Sequence, residues 1–216
     1  MWVPDAATDL WALRDHVESY LAEDDVLASA RAAAARSGCV PVGPDAGAGL
    51  RFLAASIGAR AVVEIGTGTG VSGLWLLRGM APGGTLTSID IDPEHQRAAR
   101  GVFLAAGYGP ASLRLINGMA LEVLPRLTDA GYDLVFVDAS PPDYPRYLEE
   151  AVRLLRDGGI VVFAGVLGAG VVDPGASDAS TAGLREVARQ VRDDDRLVPV
   201  LLPLGDGLLA ALKPAP

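Results

Sequence analysis

The feature that most constrains this chain is the alternation that begins near residue 59. Short strand-like runs recur there, each followed by a stretch with helical spacing. The runs are ARAVVEI (59–65), TLTSIDI (85–91), LRLI (113–116), YDLVFVD (132–138) and GIVVF (159–163). Helical stretches are expected over SGLWLLRGM, from Pro93, near Ala120–Leu127, near Tyr144–Arg156 and near Ala179–Arg192. Strands that alternate with helices build a parallel sheet covered on both faces. The end of the chain breaks the rhythm. RLVPVLL and LLAALK flank Gly205-Asp206-Gly207, a hairpin signal that adds an antiparallel strand. The expected fold is therefore an α/β, Rossmann-like, doubly wound sheet of seven strands with the last antiparallel.

The first third reads as helical. Leu10, Leu13, Val17 and Leu21 share one face, as do Val26, Ala30 and Ala33. Asp24 or Asp25 is placed to cap the second helix, and Gly38, Pro41, Gly43 and Pro44 end it. A third helix is expected from Asp45 to Ile57. No linker or repeat separates these segments, so one domain over 1–216 is expected, with N-terminal helices in 1–58 and the core in 59–216.

Bulk chemistry narrows the ligand. The formal charge is −9, which argues against nucleic acid and anionic membranes and suits a cationic or neutral partner. Lys213 is the single lysine, so a lysine base or Schiff base is absent from the body of the chain. Cys39 is the single cysteine, which rules out an intrachain disulfide and cysteine-based zinc sites. The uncharged, apolar run Ile160–Val172 is shorter than the roughly 17–25 residues a membrane helix needs. The first ten residues lack the pattern of a signal peptide. A cytoplasmic protein is expected.

In a sheet of this kind ligands bind at the carboxyl ends of the strands, near the topological switch point. The strongest signal there is VVEIGTGTGVSG (62–73). Gly66, Gly68 and Gly70 let backbone approach a ligand, and the next helix offers free N–H groups. Residues 68–73 alone also satisfy the G-x-G-x-x-G of nicotinamide proteins. Two carboxylates sharpen the reading: Glu64 lies two residues before Gly66, and Asp90 ends the next strand. An acid at the second position hydrogen-bonds ribose hydroxyls.

The E-x-G-x-G-x-G form resembles class I S-adenosylmethionine (SAM) methyltransferases. With PVGPDAGAGLRFLAASIGARAVVEIGTGTGVSGLWLL, TLTSIDIDPEH, YDLVFVDASPPDYPRYLEEAVRLLRDGGIVVF and PLGDGLLAAL, the chain is similar to the catechol/caffeoyl-CoA type of O-methyltransferase, especially its bacterial members. The similarity runs from about Asp24 to the end. It implies SAM over Gly66, Thr67, Gly68 and Gly70, with Glu64 and Ser72 helping to hold the methionine end. It implies Asp90 on the ribose, and Ile91, Gly118, Met119 and Ala120 around the adenine. Asp138 would face the sulfonium side, and Val42 the tail of the cofactor. A small-molecule acceptor and a homodimer are implied as well.

Two features depart from that family. Its members bind a divalent ion through an Asp ending the fourth strand and an Asp-Asn pair ending the fifth. Asp138 keeps the first position, but the pair falls on Ala164-Gly165. The family's VDADK reads VDASP, so its catalytic lysine is replaced by Pro141. Transfer without a metal is therefore expected, and the catalytic base is left unassigned. Asp143, Asp173 and Asp178 are the loop carboxylates with a chance of reaching the ion position. A SAM- or S-adenosylhomocysteine (SAH)-binding protein without transferase activity is the alternative. A dehydrogenase is disfavoured by the lack of a Tyr-x-x-x-Lys pair. Asp143 is expected to cap the helix at Tyr144, Asp173 to sit in a turn, His95 and His16 to be surface residues, and Trp75 to be core. Trp2 and Trp11 are expected to pack on the core, a second subunit or an acceptor.

Overall fold

The structure is a computed structural model that describes residues 10–173 and 175–215. The packing expected of Trp2 lies outside these residues, as does the side chain of Trp11. Three helices come first: α1 (Leu10–Ser19), α2 (Asp25–Ser37) and α3 (Pro44–Ser56). Asp24 caps α2 by accepting the Leu27 N–H, and Gly38 ends it in the left-handed region at φ 71°.

Alternation follows: β1 (Ala61–Ile65), α4 (Val71–Gly79), β2 (Thr85–Asp90), α5 (Pro93–Ala105), β3 (Leu113–Asn117), α6 (Ala120–Val123), β4 (Tyr132–Val137), α7 (Tyr144–Leu154) and β5 (Leu155–Ala164). A short α8 (Ala169–Val172), α9 (Ala179–Asp193) and the hairpin strands β6 (Val198–Leu202) and β7 (Leu208–Leu212) complete the chain. The sheet order is β3-β2-β1-β4-β5-β7-β6. The first five strands run parallel, and β7 is antiparallel to both β5 and β6. This is the expected seven-stranded, Rossmann-like arrangement.

Strand periodicity divides the core into two layers. Val62, Leu134, Phe136 and Val162 face one side, against Leu50, Leu74, Trp75 and Phe103. Val63, Ile65, Val135 and Phe163 face the other, against Tyr144, Leu148 and Val187. Strands buried on both faces read as continuous apolar runs, which is why YDLVFV shows no alternation. Trp75 is core as expected.

Three local expectations are corrected. Strand β5 starts at Leu155 rather than Gly159, because Leu155 pairs with Tyr132 before the register shifts and Ile160 pairs with Leu134. The helix after β3 stops at Val123 and continues as a 3-10 turn, Leu124–Arg126, where Pro125 has no N–H to extend it. Asp143 makes no side-chain cap for α7. It ends a 3-10 turn, Pro141–Asp143, and its carboxylate lies 3.6 Å from Arg146 instead.

Candidate functional site

The turn after β1 is held in a shape that only glycine accepts. Gly66, Gly68 and Gly70 have φ of 95°, 50° and 90°. A Cβ on Gly66 would stand 1.9 Å from the Asp138 carbonyl oxygen, and one on Gly68 2.8 Å from Cys39 Sγ. The loop therefore runs against the end of β4 and against Cys39, just after α2.

A polar network supports the loop from below. Glu64 is fully buried and accepts hydrogen bonds from Ser72 Oγ (2.7 Å) and Ser88 Oγ (2.5 Å). Ser88 Oγ and Thr67 Oγ1 are 2.6 Å apart, and Gln96 Nε2 donates to Thr67 Oγ1 at 2.9 Å. Burial pushes the Glu64 carboxyl up to about 8, with the charges of Asp138 and Asp90 adding and the two serine hydroxyls opposing. Burial thus favours the protonated form, in which one carboxyl oxygen donates to a serine hydroxyl and the other accepts.

Asp90 closes the other side of the loop. Its Oδ2 accepts the N–H groups of Thr67 and Gly68, both at 2.9 Å, and its Oδ1 accepts that of Asp92 at 2.8 Å. His95 Nδ1 stands 3.5 Å from Asp90 Oδ2. His95 is therefore not the plain surface residue expected. It lines the cavity beside Asp90 because Asp92 caps α5 and sets its first turn toward the strand end. The signal was present in the sequence: DPEH places His95 three residues after the cap.

The expected binding residues fall around three adjoining cavities. Gly66, Gly68, Asp90, Ile91, Gly118, Met119, Ala120 and Asp138 line one of about 360 Å³, together with His95. Thr67 and Ser72 line a second of about 70 Å³, which shares Gly66, Gly68 and Asp138 with the first. Val42 lines a third of about 200 Å³, with Asp138, Ala164 and Asp206. Glu64 lines none of them. It touches the site only through Ser72 and Ser88.

The donor set at the family's ion position is incomplete. Among the described residues the Asp138 carboxylate has no hydrogen-bond or ion-pair partner, and burial, helped by the charge of Asp206, raises it to about 7. Ala164 contributes only its carbonyl oxygen, which accepts from the Tyr144 hydroxyl at 3.2 Å. Gly165, at φ 76°, offers no side chain. None of the three loop carboxylates takes over: Asp143 lies near Arg146, Asp173 accepts the Gly175 N–H, and Asp178 caps α9. No group of three His, Cys, Asp or Glu side chains among the described residues is arranged to hold an ion. The residues present do not fit the family's metal.

Sequence reasoning missed Asp206. Because β7 runs antiparallel to β5 and Leu208 pairs with Ala164, the turn before β7 lies at the carboxyl end of β5. Asp206 Oδ2 sits 3.5 Å from where a Cβ on Gly165 would be. The hairpin signal and the antiparallel last strand together could have placed it.

Residues 17–214 match the family model described as O-methyltransferase. The chain belongs to the O-methyltransferase family. A Mycobacterium tuberculosis protein named a probable O-methyltransferase is 54% identical over 211 residues, covering 97% of this chain and 93% of the relative. A Corynebacterium glutamicum protein of known structure superposes with a TM-score of 0.88 at 35% identity, over 95% of this chain and 97% of its own. The O-methyltransferase TomG from Streptomyces achromogenes, involved in tomaymycin synthesis and solved with SAM, gives a TM-score of 0.84 at 31% identity, over 94% and 96%.

Proposed function

We propose that this O-methyltransferase moves a methyl group from SAM to an oxygen of a small acceptor, without a divalent ion at the ends of β4 and β5. The observation that carries the reading is the glycine cradle between β1 and α4, closed by Asp90 and opening on a cavity at the carboxyl edge. Its neighbour TomG was solved with SAM. Bound SAM supplies a methyl group on a positively charged sulfur, open to attack by an acceptor oxygen.

The residues divide the work. Gly66, Thr67 and Gly68 bring backbone against the cofactor, and Ser72 holds its amino-acid end from the first turn of α4. Glu64, protonated, fixes Ser72 rather than touching the ligand. Asp90 and His95 face the ribose, while Ile91, Gly118, Met119 and Ala120 form the adenine wall. Asp138 provides negative charge toward the sulfonium, and Val42 packs beside it. Holding the acceptor in line with the methyl group supplies catalysis by positioning.

The chain works as one domain over 1–216, in the cytoplasm, and as a homodimer. Support for the dimer is the apolar surface just after α1, on α3 and on edge strand β6, where Tyr20, Phe52, Val200 and Leu201 are exposed. Among the described residues no helix is long and apolar enough to cross a membrane.

Calorimetric titration of SAM and SAH, with Mg²⁺ and with EDTA, tests the cofactor and metal parts together. The expected result is tight binding that is indifferent to metal. Absence of binding refutes the cofactor reading, and binding strengthened by Mg²⁺ refutes the metal-free one.

A further inference from the structure

The hydrogen bonds under the glycine loop form a relay, and its donors and acceptors fix which way each hydroxyl points. The relay starts at Gln96 on α5, a side chain only 7% exposed. Gln96 Nε2 lies 2.9 Å from Thr67 Oγ1, 3.2 Å from the Ser88 carbonyl oxygen and 3.3 Å from that of Ile116. Carbonyl oxygens only accept, so the amide must turn its nitrogen toward them. It does so although Gln96 Oε1 is then buried without a partner. Flipping the amide would set that oxygen against two carbonyl oxygens and lose both contacts.

Counting hydrogens gives the remaining directions. The amide nitrogen cannot accept, so Thr67 Oγ1 receives from it and gives its own hydrogen to Ser88 Oγ, 2.6 Å away. Ser88 Oγ then donates to Glu64 Oε2 at 2.5 Å. With Oε2 accepting, the acidic hydrogen of Glu64 falls on Oε1, 2.7 Å from Ser72 Oγ. Burial favours this protonated form. The opposite direction fails at its far end. Thr67 is 2% exposed, and if Ser88 donated to it, the Thr67 hydrogen would have only the donating amide to face.

Ser72 thus receives a hydrogen bond and keeps its own hydrogen spare. Its hydroxyl has no hydrogen-bond partner besides Glu64 among the described residues. Ser72 stands on the wall of the cavity of about 70 Å³ at the start of α4. An ionised Glu64, or a relay running the other way, would draw the Ser72 hydrogen inward and show this cavity only lone pairs. The two directions therefore present opposite chemistry to a ligand.

Resting on the SAM-dependent reading above, we propose that Gln96 is a positioning residue for the cofactor: through Thr67, Ser88 and Glu64 it turns the Ser72 hydroxyl outward as a donor. The group this selects is the carboxylate at the amino-acid end rather than the ammonium. The N-terminus of α4 favours negative charge at the same place. Gln96 lines none of the three cavities and acts only through the relay.

Calorimetry on the full-length protein compares SAH with decarboxylated SAH, which lacks only that carboxylate. Gln96→Met removes the donor, and Gln96→Glu keeps the size but sets an acceptor against Thr67. Both are expected to weaken SAH roughly tenfold, as is Ser72→Ala, and to leave decarboxylated SAH unchanged. Glu64→Gln, whose amide can carry the same direction, is expected to keep the SAH affinity. Ser72→Ala combined with Gln96→Met is expected to bind SAH no more weakly than Ser72→Ala alone, because Gln96 acts through Ser72. Melting temperatures check folding, and either Gln96 variant suffices. Unchanged SAH affinity in the Gln96 variants, equal losses for the two ligands in any variant including Ser72→Ala, or additive losses in the double variant overturns the proposal. Binding of SAH to the unaltered protein is measured first. If it holds and the carboxylate dependence fails, only this inference falls; if SAH does not bind, the cofactor reading falls with it.

Discussion

Replacing Glu64 by Gln gives the sharpest test of the loop's support. In the folded chain this carboxyl is raised from 4.5 to about 8, chiefly by burial. Between those values the folded state keeps a proton that the unfolded state has released. Stability supplied by the protonated group is therefore complete below pH 4.5 and is lost as pH rises toward 8. The slope is about 1.4 kcal/mol per pH unit. Glutamine is neutral at every pH, and its amide can donate to one serine oxygen and accept from the other. Denaturant unfolding of both proteins at pH 5, 6, 7 and 8 isolates the effect, because all other titrating groups cancel in the difference. The difference should move by roughly 3–4 kcal/mol in favour of the variant between pH 5 and pH 8. A difference that stays flat would mean that Glu64 is ionised in the folded protein, and the burial argument would be wrong.

Other substitutions probe neighbouring parts of the argument. Gly66→Ala places a methyl 1.9 Å from the Asp138 carbonyl oxygen, so SAH affinity measured by calorimetry should fall by about a hundredfold or more; retained affinity would show that the loop tolerates another course. His95→Ala should weaken SAH several-fold while leaving the melting temperature within a degree or two, and an unchanged affinity would return His95 to the surface class. Phe103→Ala, which empties a fully buried position under Gly70 and Gly73, should cost about 3–5 kcal/mol in denaturant unfolding; a loss below 1 kcal/mol would contradict the packing described.

The parts of this molecule that were legible in the sequence depend on short-range rules. Short strand-forming runs set β1 and β2, a mostly apolar run sets β4, and Asp24 and Pro93 mark helix starts with local chemistry. The glycine loop was legible because its backbone shape excludes other residues. What escaped depends on distance along the chain. Asp45 meets Gly205 across 160 positions, and no local pattern announces that contact. The early start of β5 needed its partner Tyr132, and Asp143 lost its capping role to a 3-10 turn set by two prolines. Glu64 was read as a ligand contact from its place in the motif. Its position inside the strand, between two serine hydroxyls, makes it a support for the loop instead.

The β6–β7 hairpin has a consequence for the carboxylate at the end of β4. Apart from Val42, the groups assigned to the cofactor come from residues 64–138, on or beside strands bonded to one another through the centre of the sheet. Asp206 instead arrives on a turn at the far edge, tied to the remainder by a few main-chain hydrogen bonds and by Asp45. Rewriting residues 203–207 would change the wall of the cavity shared with Asp138 and, through the charge of Asp206, the Asp138 carboxyl itself. The edge hairpin is thus coupled to the central strands through one pair of carboxylates rather than separate from them.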